Sequence, residues 1–401
     1  MTNMMPDKTS TRREFLKAAS LCAFGLTLSD MASAHLPSTG RLRELLLYVG
    51  TYTTGKSEGI YLYRLNLASG ELKHARTIKG VVNPSFIALD NSRRYLYAVN
   101  EVDEFGGQKS GAVSAFSIDR RTGGLRLLNQ QPSLGRAPCY VTVDTTDRFV
   151  LVANYWGGNV SILPVRNDGS LGEATDVQQF TGSSVNRERQ EAPHAHCILL
   201  DKTNRHAYAC DLGTDKIMLY RFDAKRGKLI PNEMPFARVK AGAGPRHLAF
   251  HPRNRYAYVA NELDLTVTAF EHNQARGALT ELQTVSTLPP GLTAASTSAD
   301  IHVSPDGKFL YVSNRGHDRL AAFEIDARTG KLSLIAHTPT QGKTPRNFTI
   351  DPTGAYLLVA NQNSDSIVTF RIDKQTGRLT PTGHVAEVPS PVCLKLIAPF
   401  S

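Results

Sequence analysis

The phrase YVANEL at residues 258–263 decides the fold, because similar phrases recur along most of the chain. The other copies are LYAVNE (96–101), LVANYW (151–156), YACDLG (208–213), YVSNRG (311–316) and LVANQN (358–363), with a degenerate copy YVGTYT at 48–53. Successive copies lie about fifty residues apart, which is the spacing of four-stranded propeller blades. One such unit cannot bury its apolar faces alone, so the sequence predicts seven units packed around a common axis.

Each repeat predicts four strands, and the two ends of the chain supply parts of one repeat. An apolar strand such as PSFIALD (84–90) precedes the phrase, an alternating strand such as SIVTFRID (366–373) follows it, and a Gly turn leads into a looser fourth strand. The C-terminal PVCLKLI (391–397) resembles a first strand, and the N-terminal LLLYVGTYT (45–53) resembles a second strand. We therefore predict an all-β, seven-bladed β-propeller that is closed by its N- and C-terminal strands.

Residues 1–34 are predicted to be a signal peptide outside this fold. Arg12 and Arg13 are followed by Phe-Leu-Lys, by an apolar stretch over 18–28 and by Ala-Ser-Ala before the proposed cleavage site. This order is typical of a twin-arginine export signal, and the apolar stretch is too short for a membrane span. We expect a periplasmic protein that is exported by the twin-arginine machinery, with a mature domain over 35–401 and no membrane attachment after cleavage.

Composition argues against several classes of partner and cofactor. The formal net charge is +10, but the chain has no dense Lys/Arg run with interleaved aromatic residues, so nucleic acid is not expected as a partner. His194 and His196 share one face of a strand, yet no third ligand stands at metal-binding spacing. No phosphate loop, Ser nucleophile motif or haem motif is present. We expect neither a metal nor another cofactor.

Four cysteines remain after cleavage, all in predicted strands and without a CxxC pair: Cys139, Cys197, Cys210 and Cys393. We interpret them as small apolar residues of the core. Cys197 and Cys210 lie on adjacent strands of one blade, so a disulfide between them stays open in an oxidising compartment.

The repeat predicts which residues meet at the axis. The first strand of each blade lies nearest the axis and the second runs antiparallel to it, so the start of one and the end of the other lie on the same face of the disc. Alignment on the Val-Asn pair gives a ring at the starts of the first strands, namely Ser85, Cys139, His196, Arg246, Ala299, Arg346 and Val392. The ring just after the Asn consists of Tyr52, Glu101, Tyr155, Leu212, Glu262, Arg315 and Gln362.

These two rings carry His, Arg and Glu, whereas positions that only pack should repeat one residue type. Unpaired charges are costly at a narrow, partly desolvated axis, so such a set is usually paired, ligand-binding or both. One interpretation is a set of ion pairs, for instance between Arg246 and Glu262, that only joins blades. The other is a cleft that binds a ligand at the axial end of the disc.

Several phrases resemble the seven-bladed lactonase family, which includes bacterial propeller-type 6-phosphogluconolactonases and, more distantly, carboxy-muconate cycloisomerases. They are GAGPRHLAFHP (242–252) with YVANEL, PHAH (193–196), YVSNRGHD (311–318) and TPRNFTIDPTG (344–354). The resemblance covers nearly all of 45–401 and implies a carboxylic ester hydrolase that opens sugar-acid lactones without a cofactor. It also implies an active site of one His, two Arg and one Glu, which fall on His196, Arg246, Arg315 and Glu262.

Lactone hydrolysis suits these four side chains. Neutral His196 can take a proton from water, and the two arginines can stabilise the oxyanion or hold a carboxylate or phosphate. Glu262 can orient Arg246 or the histidine, or act as the base itself. We interpret six neighbouring residues as substrate-binding: His194, Arg346, Glu101, His247, Tyr155 and His317. His194 is also an alternative candidate for the base.

Export distinguishes this chain from a cytoplasmic enzyme of the same family. Phosphorylated sugar lactones belong to the cytoplasm, so the expected small-molecule substrate is an unphosphorylated lactone such as gluconolactone.

Two other classes of function stay open. One is a muconate cycloisomerase-like lyase that uses the same residues, and the other is a non-catalytic periplasmic propeller whose flat or apolar face binds a partner.

Overall fold

The computed structural model describes residues 43–289, 291–292 and 296–400, and the predicted signal peptide lies outside them. The described residues form twenty-eight strands and one 3-10 turn at Gln362–Ser364. No helix among them is long and apolar enough to cross a membrane. The strands are β1 (Glu44–Thr51), β2 (Gly59–Asn66), β3 (Leu72–Lys79), β4 (Ile87–Leu89), β5 (Tyr95–Asn100), β6 (Ala112–Ile118), β7 (Leu125–Pro132), β8 (Pro138–Val143), β9 (Phe149–Asn154), β10 (Asn159–Pro164), β11 (Asp176–Gln179), β12 (Ala195–Leu200), β13 (His206–Asp211), β14 (Lys216–Asp223), β15 (Lys228–Arg238), β16 (Pro245–Phe250), β17 (Tyr256–Asn261), β18 (Thr266–Asn273), β19 (Ala278–Ser286), β20 (Thr297–Val303), β21 (Phe309–Arg315), β22 (Arg319–Ile325), β23 (Leu332–Pro339), β24 (Pro345–Ile350), β25 (Tyr356–Asn361), β26 (Ser366–Ile372), β27 (Leu379–Glu387) and β28 (Pro391–Ile397).

These strands form seven antiparallel sheets of four strands each, which are the blades of a propeller. Blade 1 consists of β28, β1, β2 and β3, and each later blade consists of four consecutive strands, from β4–β7 in blade 2 to β24–β27 in blade 7. The first strands of neighbouring blades contact each other all the way around the ring. The prediction of an all-β, seven-bladed propeller is confirmed, and the first strand of each blade lies nearest the axis.

The two ends of the chain complete blade 1. β28 pairs with β1 over most of its length, with Leu46 opposite Ile397 and Gly50 opposite Cys393. β1 has β2 on its other side, so this N-terminal strand is hydrogen-bonded along both edges. The predicted closure by both termini is confirmed, and it leaves no unpaired inner strand in the ring.

A tyrosine in the second strand of several blades is hydrogen-bonded to the next blade. In blade 5, Tyr258 is fully buried, and its hydroxyl donates a hydrogen bond of 3.0 Å to the carbonyl oxygen of Gly330 in blade 6. Gly330 has a φ of 71°, and a Cβ at this position would lie 2.4 Å from the ring of Tyr256, so the turn requires glycine. The equivalent pairs are Tyr48–Gly123, Tyr97–Gly169 and Tyr311–Gly377.

Apolar side chains of neighbouring blades fill the space between them. Blades 4 and 5, for example, pack Cys197 and Cys210 together with Leu248 and Val259. Cys197 and Cys210 lie opposite each other in the register of β12 and β13, but all four cysteines of the described residues are buried and free. They pack as small apolar residues of the core, in agreement with their interpretation from the sequence.

Candidate active site

A β-bulge near the start of the first strand removes one residue of the blade from regular pairing. In blade 5 the register shifts between Pro245 and His247, so that Arg246 between them has no partner in β17. The bulge residues of blades 3, 4 and 7 are Cys139, His196 and Arg346. Bulges re-aim a side chain out of the strand's regular alternation. They therefore explain how these four residues of the first ring are directed toward the axis.

An open cavity of about 370 Å³ lies at this end of the axis. It is lined by Tyr52, Glu101, Cys139, Tyr155, Trp156, Arg189, His196, Glu262, Arg315 and Arg346. All of them except Trp156 and Arg189 belong to the two rings identified from the repeat. A smaller pocket shares Glu101, Cys139 and Arg346 with the cavity, and its other lining residues are Ser85, Phe86, Arg246, His247 and Val392. Arg246 thus lies behind the wall of the main cavity.

Glu262 lies at the centre of a cluster of three arginines. One carboxylate oxygen is 3.0 Å from Arg246 Nε and 3.0 Å from Arg315 Nη2, and the other is 2.6 Å from Arg189 Nη2. Burial by itself raises the pKa of Glu262, but Arg315, Arg246 and Arg189 outweigh it and lower the pKa to about 2. The carboxylate is therefore ionised at neutral pH, and it fixes two guanidinium groups in the cavity wall and that of Arg246 behind it.

Arg189 was missed by the sequence analysis, because it lies outside the repeat. It belongs to the connection between β11 and β12, where its neighbour Gln190 is fully buried and donates a hydrogen bond of 2.8 Å to Asp215. This anchor on blade 4 places Arg189 Nη2 against Glu262 and 3.3 Å from the hydroxyl of Tyr155. The length of this connection, 15 residues over 180–194, is the one sequence signal that could have drawn attention to it.

His196 lies at the cavity as a neutral imidazole. Burial, followed by the nearby charge of Arg246, holds the pKa of His196 well below its usual range. Its Nδ1 lies 3.7 Å from Cys139 Sγ, and its ring stands edge-on to Tyr155 with the centroids 5.4 Å apart. Among the described residues no carboxylate contacts this ring. A neutral imidazole can accept a proton from a water molecule in the cavity.

Of the six residues predicted to bind substrate, three line the cavity and three do not. Those in the lining are Glu101, Tyr155 and Arg346, and those outside it are His194, His247 and His317. The ring of His194 stacks on Tyr155 at 4.6 Å, its Nδ1 faces the Tyr155 carbonyl at 3.3 Å, and its Nε2 is 3.1 Å from Glu191. His194 therefore supports Tyr155 from behind. His317 lies in the turn between β21 and β22.

His247 belongs to a buried layer that fills the axis. Its ring lies edge-on to both Phe86 and Tyr140, which stack on each other at 4.2 Å although the three come from blades 5, 2 and 3. Its Nδ1 is 2.7 Å from Asp300, whose other oxygen lies 2.9 Å from His302 Nε2. Burial, followed by the charge of Arg246, lowers the pKa of His247 to about 4. His247 is therefore neutral at neutral pH and packs beside the cavity.

Positive charge dominates the cavity. Four guanidinium groups lie in or directly behind its wall, those of Arg189, Arg246, Arg315 and Arg346, together with the two carboxylates of Glu101 and Glu262. No group of three or more His, Cys, Asp or Glu side chains that could hold a metal ion occurs in the part of the chain that the structure describes. The arrangement can bind an anion and polarise a carbonyl oxygen through charge-assisted hydrogen bonds.

Comparison with known proteins places this chain in a family. A family model described as a lactonase with a seven-bladed β-propeller matches residues 46–396. The chain belongs to this lactonase family. A protein named 6-phosphogluconolactonase from Bacillus subtilis is 41% identical over 301 residues, which cover 75% of this chain and 83% of that protein. The resemblance found in the sequence is thereby confirmed.

Solved structures of similar proteins have the same fold. A crystal structure of a putative 6-phosphogluconolactonase from Bacteroides fragilis is 40% identical, with a TM-score of 0.83 over 90% of this chain and 99% of that chain. The structure of a periplasmic gluconolactonase from Pseudomonas aeruginosa is 35% identical, also with a TM-score of 0.83, over 89% of this chain and 99% of that chain. The expectation of a lactonase-type carboxylic ester hydrolase agrees with this membership of the lactonase family.

Proposed function

We propose that this chain hydrolyses a gluconolactone-type sugar-acid lactone in the axial cavity, as a 6-phosphogluconolactonase-like enzyme. The observation that carries the proposal is the pairing of a neutral His196 with guanidinium groups fixed by Glu262 around one open cavity. These are the two functions that ester hydrolysis needs, a proton acceptor for water and a cationic group for the oxyanion. The concave, charged cavity also differs from the flat or apolar face expected of a non-catalytic propeller.

We assign the general base to His196. Water attacks the lactone carbonyl carbon while His196 accepts its proton, and the imidazolium then returns the proton to the ring oxygen as the C–O bond breaks. The product is the open-chain hydroxy acid. His196 lines the cavity, whereas both ring nitrogens of His194 are engaged by Tyr155 and Glu191. The location of His196 supports its assignment over His194.

We assign Arg315 to the oxyanion and Glu262 to its orientation. Arg315 lines the cavity and is held by Glu262, whereas Arg246 holds the same carboxylate from behind the wall. A carboxylate with a pKa of about 2 is a weak proton acceptor at neutral pH, which argues against Glu262 as the base. Arg246 also donates a hydrogen bond of 2.5 Å from Nη1 to the carbonyl of Ala299, so it acts as a support for the cluster.

The activity is tested by titrating the acid that lactone opening releases. Purified mature protein at constant pH is supplied with glucono-δ-lactone, with its 6-phosphate or with a muconolactone, and the spontaneous rate is subtracted. The proposal expects hydrolysis of a gluconolactone. Acid release no faster than the spontaneous rate for both gluconolactones would refute it, and turnover of the muconolactone alone would favour the lyase-related alternative.

We further propose that the chain is exported by the twin-arginine route and acts in the periplasm, where an unphosphorylated lactone is the available substrate. The Arg12-Arg13 pair with its following apolar stretch supports this, as does the similarity to a periplasmic gluconolactonase. Replacing both arginines with lysine should leave uncleaved precursor in the cytoplasm, as judged by fractionation and immunoblotting. Arg41→Lys, beyond the proposed cleavage site, is the matched control. Normal export of the double variant would contradict the assignment.

A further inference from the structure

Two connections between blades lead into residues of the arginine cluster. The connection between β11 and β12 (180–194) carries Arg189, and the connection between β15 and β16 (239–244) ends two residues before Arg246. Between them lies the turn that joins β13 to β14, where Asp215 is 3% exposed and has a φ of 54°. Asp215 is not part of the cavity lining, so it can act on the site only through its neighbours.

The carboxylate of Asp215 joins the two connections. One oxygen accepts a hydrogen bond of 2.8 Å from Gln190 Nε2 and one of 2.7 Å from the main-chain N–H of Gly244. The other oxygen accepts a hydrogen bond from the hydroxyl of Ser184 and one of 2.8 Å from the main-chain N–H of Gly242. Each oxygen therefore bridges the β11–β12 connection and the β15–β16 connection, and the four donors occupy the acceptor positions of the carboxylate.

These hydrogen bonds end directly beside the ion pairs of the cavity. Gln190 is the sequence neighbour of Arg189, whose guanidinium contacts Glu262. Gly244 stands two residues before Arg246, which contacts the same carboxylate. The carbonyl of Gly244 also accepts a hydrogen bond of 2.7 Å from the main-chain N–H of Glu262. One buried carboxylate thus connects the backbone segments on both sides of this cluster.

The same turn carries an aspartate in blades 6 and 7. Asp318 has a φ of 53° and Asp365 a φ of 51°, and they accept hydrogen bonds of 2.8 Å from the main-chain N–H groups of Thr344 and Ser390. Thr344 and Ser390 directly precede the prolines that begin β24 and β28. An aspartate in this turn therefore sets the start of the next first strand, and in blade 4 it also holds the β11–β12 connection.

We propose that Asp215 is a positioning residue for the reaction, which fixes two of the three arginines that contact Glu262. The proposal rests on the lactonase function proposed above, because Glu262 in turn orients Arg315 toward the lactone carbonyl. A displacement of about 1 Å in the supports of a reacting centre can lower its rate by about 100-fold. Asp215 itself touches neither the substrate nor the reacting atoms.

Asp215→Asn tests the carboxylate with little change in shape. Asparagine tolerates the positive φ of this turn. In either orientation, however, its NH2 group faces a main-chain N–H, that of Gly242 or that of Gly244. We expect kcat/KM for the lactone that wild type hydrolyses to fall by about 10- to 100-fold, while thermal unfolding remains cooperative.

Asp351→Asn is the matched control. Asp351 is also buried and accepts four hydrogen bonds, from the main-chain N–H groups of Thr353, Ala355 and Tyr356 and from the hydroxyl of Thr353. All four donors lie in its own turn, beyond the end of β24 that points away from the cavity. This variant should lose stability but keep its kcat/KM. An equal loss of kcat/KM in the two variants would overturn the proposal.

Native-state proteolysis measures how firmly Asp215 holds the β11–β12 connection, without any turnover. Arg187 is exposed and Arg189 half-buried in this connection, so trypsin can cleave there once the segment opens locally. Asp215→Asn should accelerate this cleavage by about 10-fold, because hydrogen bonds to a charged group are lost. Asp351→Asn should leave it unchanged. Mass spectrometry identifies the cleaved bonds, and unchanged cleavage in Asp215→Asn would overturn the proposal.

A double variant separates positioning from a general loss of stability. If Asp215 acts through Arg189, the combination of Asp215→Asn with Arg189→Gln should retain more activity than the product of the two single effects. Effects that multiply would overturn the proposal. Wild type that hydrolyses none of the lactones would overturn the proposed function and this inference with it, whereas active wild type with an equally active Asp215→Asn would overturn the positioning role alone.

Discussion

Glu262 contacts three guanidinium groups, and that number determines what it can do. A carboxylate beside a single arginine could still act as a general base. With Arg189, Arg246 and Arg315 around it, however, the pKa of Glu262 falls to about 2. The side chain therefore acts as a fixed anion that orients cations. Because Glu262 is excluded as a base, His196 is the proposed proton acceptor of the cavity, and its replacement and its titration can both be tested.

Replacing His196 with alanine should lower kcat by about 10²- to 10⁴-fold, because the water molecule loses its general base. The variant should keep its fold, since the ring makes no ion pair within the described residues, and thermal unfolding should show a cooperative transition. His74→Ala, on the exposed outer strand β3, is the control and should be fully active. Full activity of the His196 variant would rule out the assignment.

The pH profile provides an independent check on the same residue. Because burial and Arg246 hold the pKa of His196 below 6.5, the imidazole remains neutral when an ordinary histidine would begin to protonate. The value of kcat/KM should therefore stay constant as the pH falls through 6.5 and decline only at more acidic pH. A half-maximal point at or above 6.5 would be inconsistent with a buried His196 as the base, provided that far-UV circular dichroism shows the protein folded throughout.

At the scale of elements, two features recur from blade to blade, a β-bulge in the first strand and a tyrosine in the second. The bulge at the start of the first strand releases one side chain in each of blades 3, 4, 5 and 7, so that the site can vary without disturbing the sheet. The tyrosine of the second strand recurs in five blades instead, and in four of them it hydrogen-bonds a glycine turn of the next blade, as Tyr258 does with Gly330. The variable positions carry the proposed chemistry, and the recurrent tyrosines hold neighbouring blades in register.

Removing this inter-blade hydrogen bond should lower stability without touching the cavity. Tyr258→Phe leaves the carbonyl of Gly330 without its donor, and we expect the free energy of unfolding to fall by about 0.5–1.5 kcal/mol in urea titrations. Tyr95→Phe is the matched control, because the Tyr95 hydroxyl makes no hydrogen bond within the described residues. Equal stability of the Tyr258 variant and wild type would show that apolar packing alone sets the register of these blades.

At the scale of the whole molecule, periodicity explains how far the sequence could be interpreted. Seven copies of one phrase predict the number of blades and the closure, and their alignment predicts eight of the ten cavity residues, because equivalent positions in a repeat occupy equivalent places. The sequence did not predict Arg189, because its position depends on the hydrogen bond that the neighbouring Gln190 donates to Asp215. Such a contact produces no periodic pattern in the sequence. That three of the predicted histidines lie outside the cavity lining depends on side-chain direction, which spacing alone does not determine.

Closure of the ring can be tested on the intact chain. Deleting residues 391–401 removes β28 and exposes the inner edge of β1, which is otherwise paired along both sides. We expect the truncated protein to be insoluble or to unfold without a cooperative transition. Replacing only the last four residues with glycine and serine, which keeps all of β28, is the control. A stable, soluble truncated protein would show that blade 1 holds without its innermost strand.

The pairing of β28 with β1 also sets a schedule for biosynthesis. The first strand to leave the ribosome cannot complete its sheet until the last strand has been translated, so blades 2 to 7 can assemble while blade 1 waits. Closure of the ring therefore follows translation of all seven blades, and β1 remains available to chaperones until β28 emerges from the ribosome. Stalled or prematurely terminated products would carry this unpaired strand, which quality-control proteases can recognise.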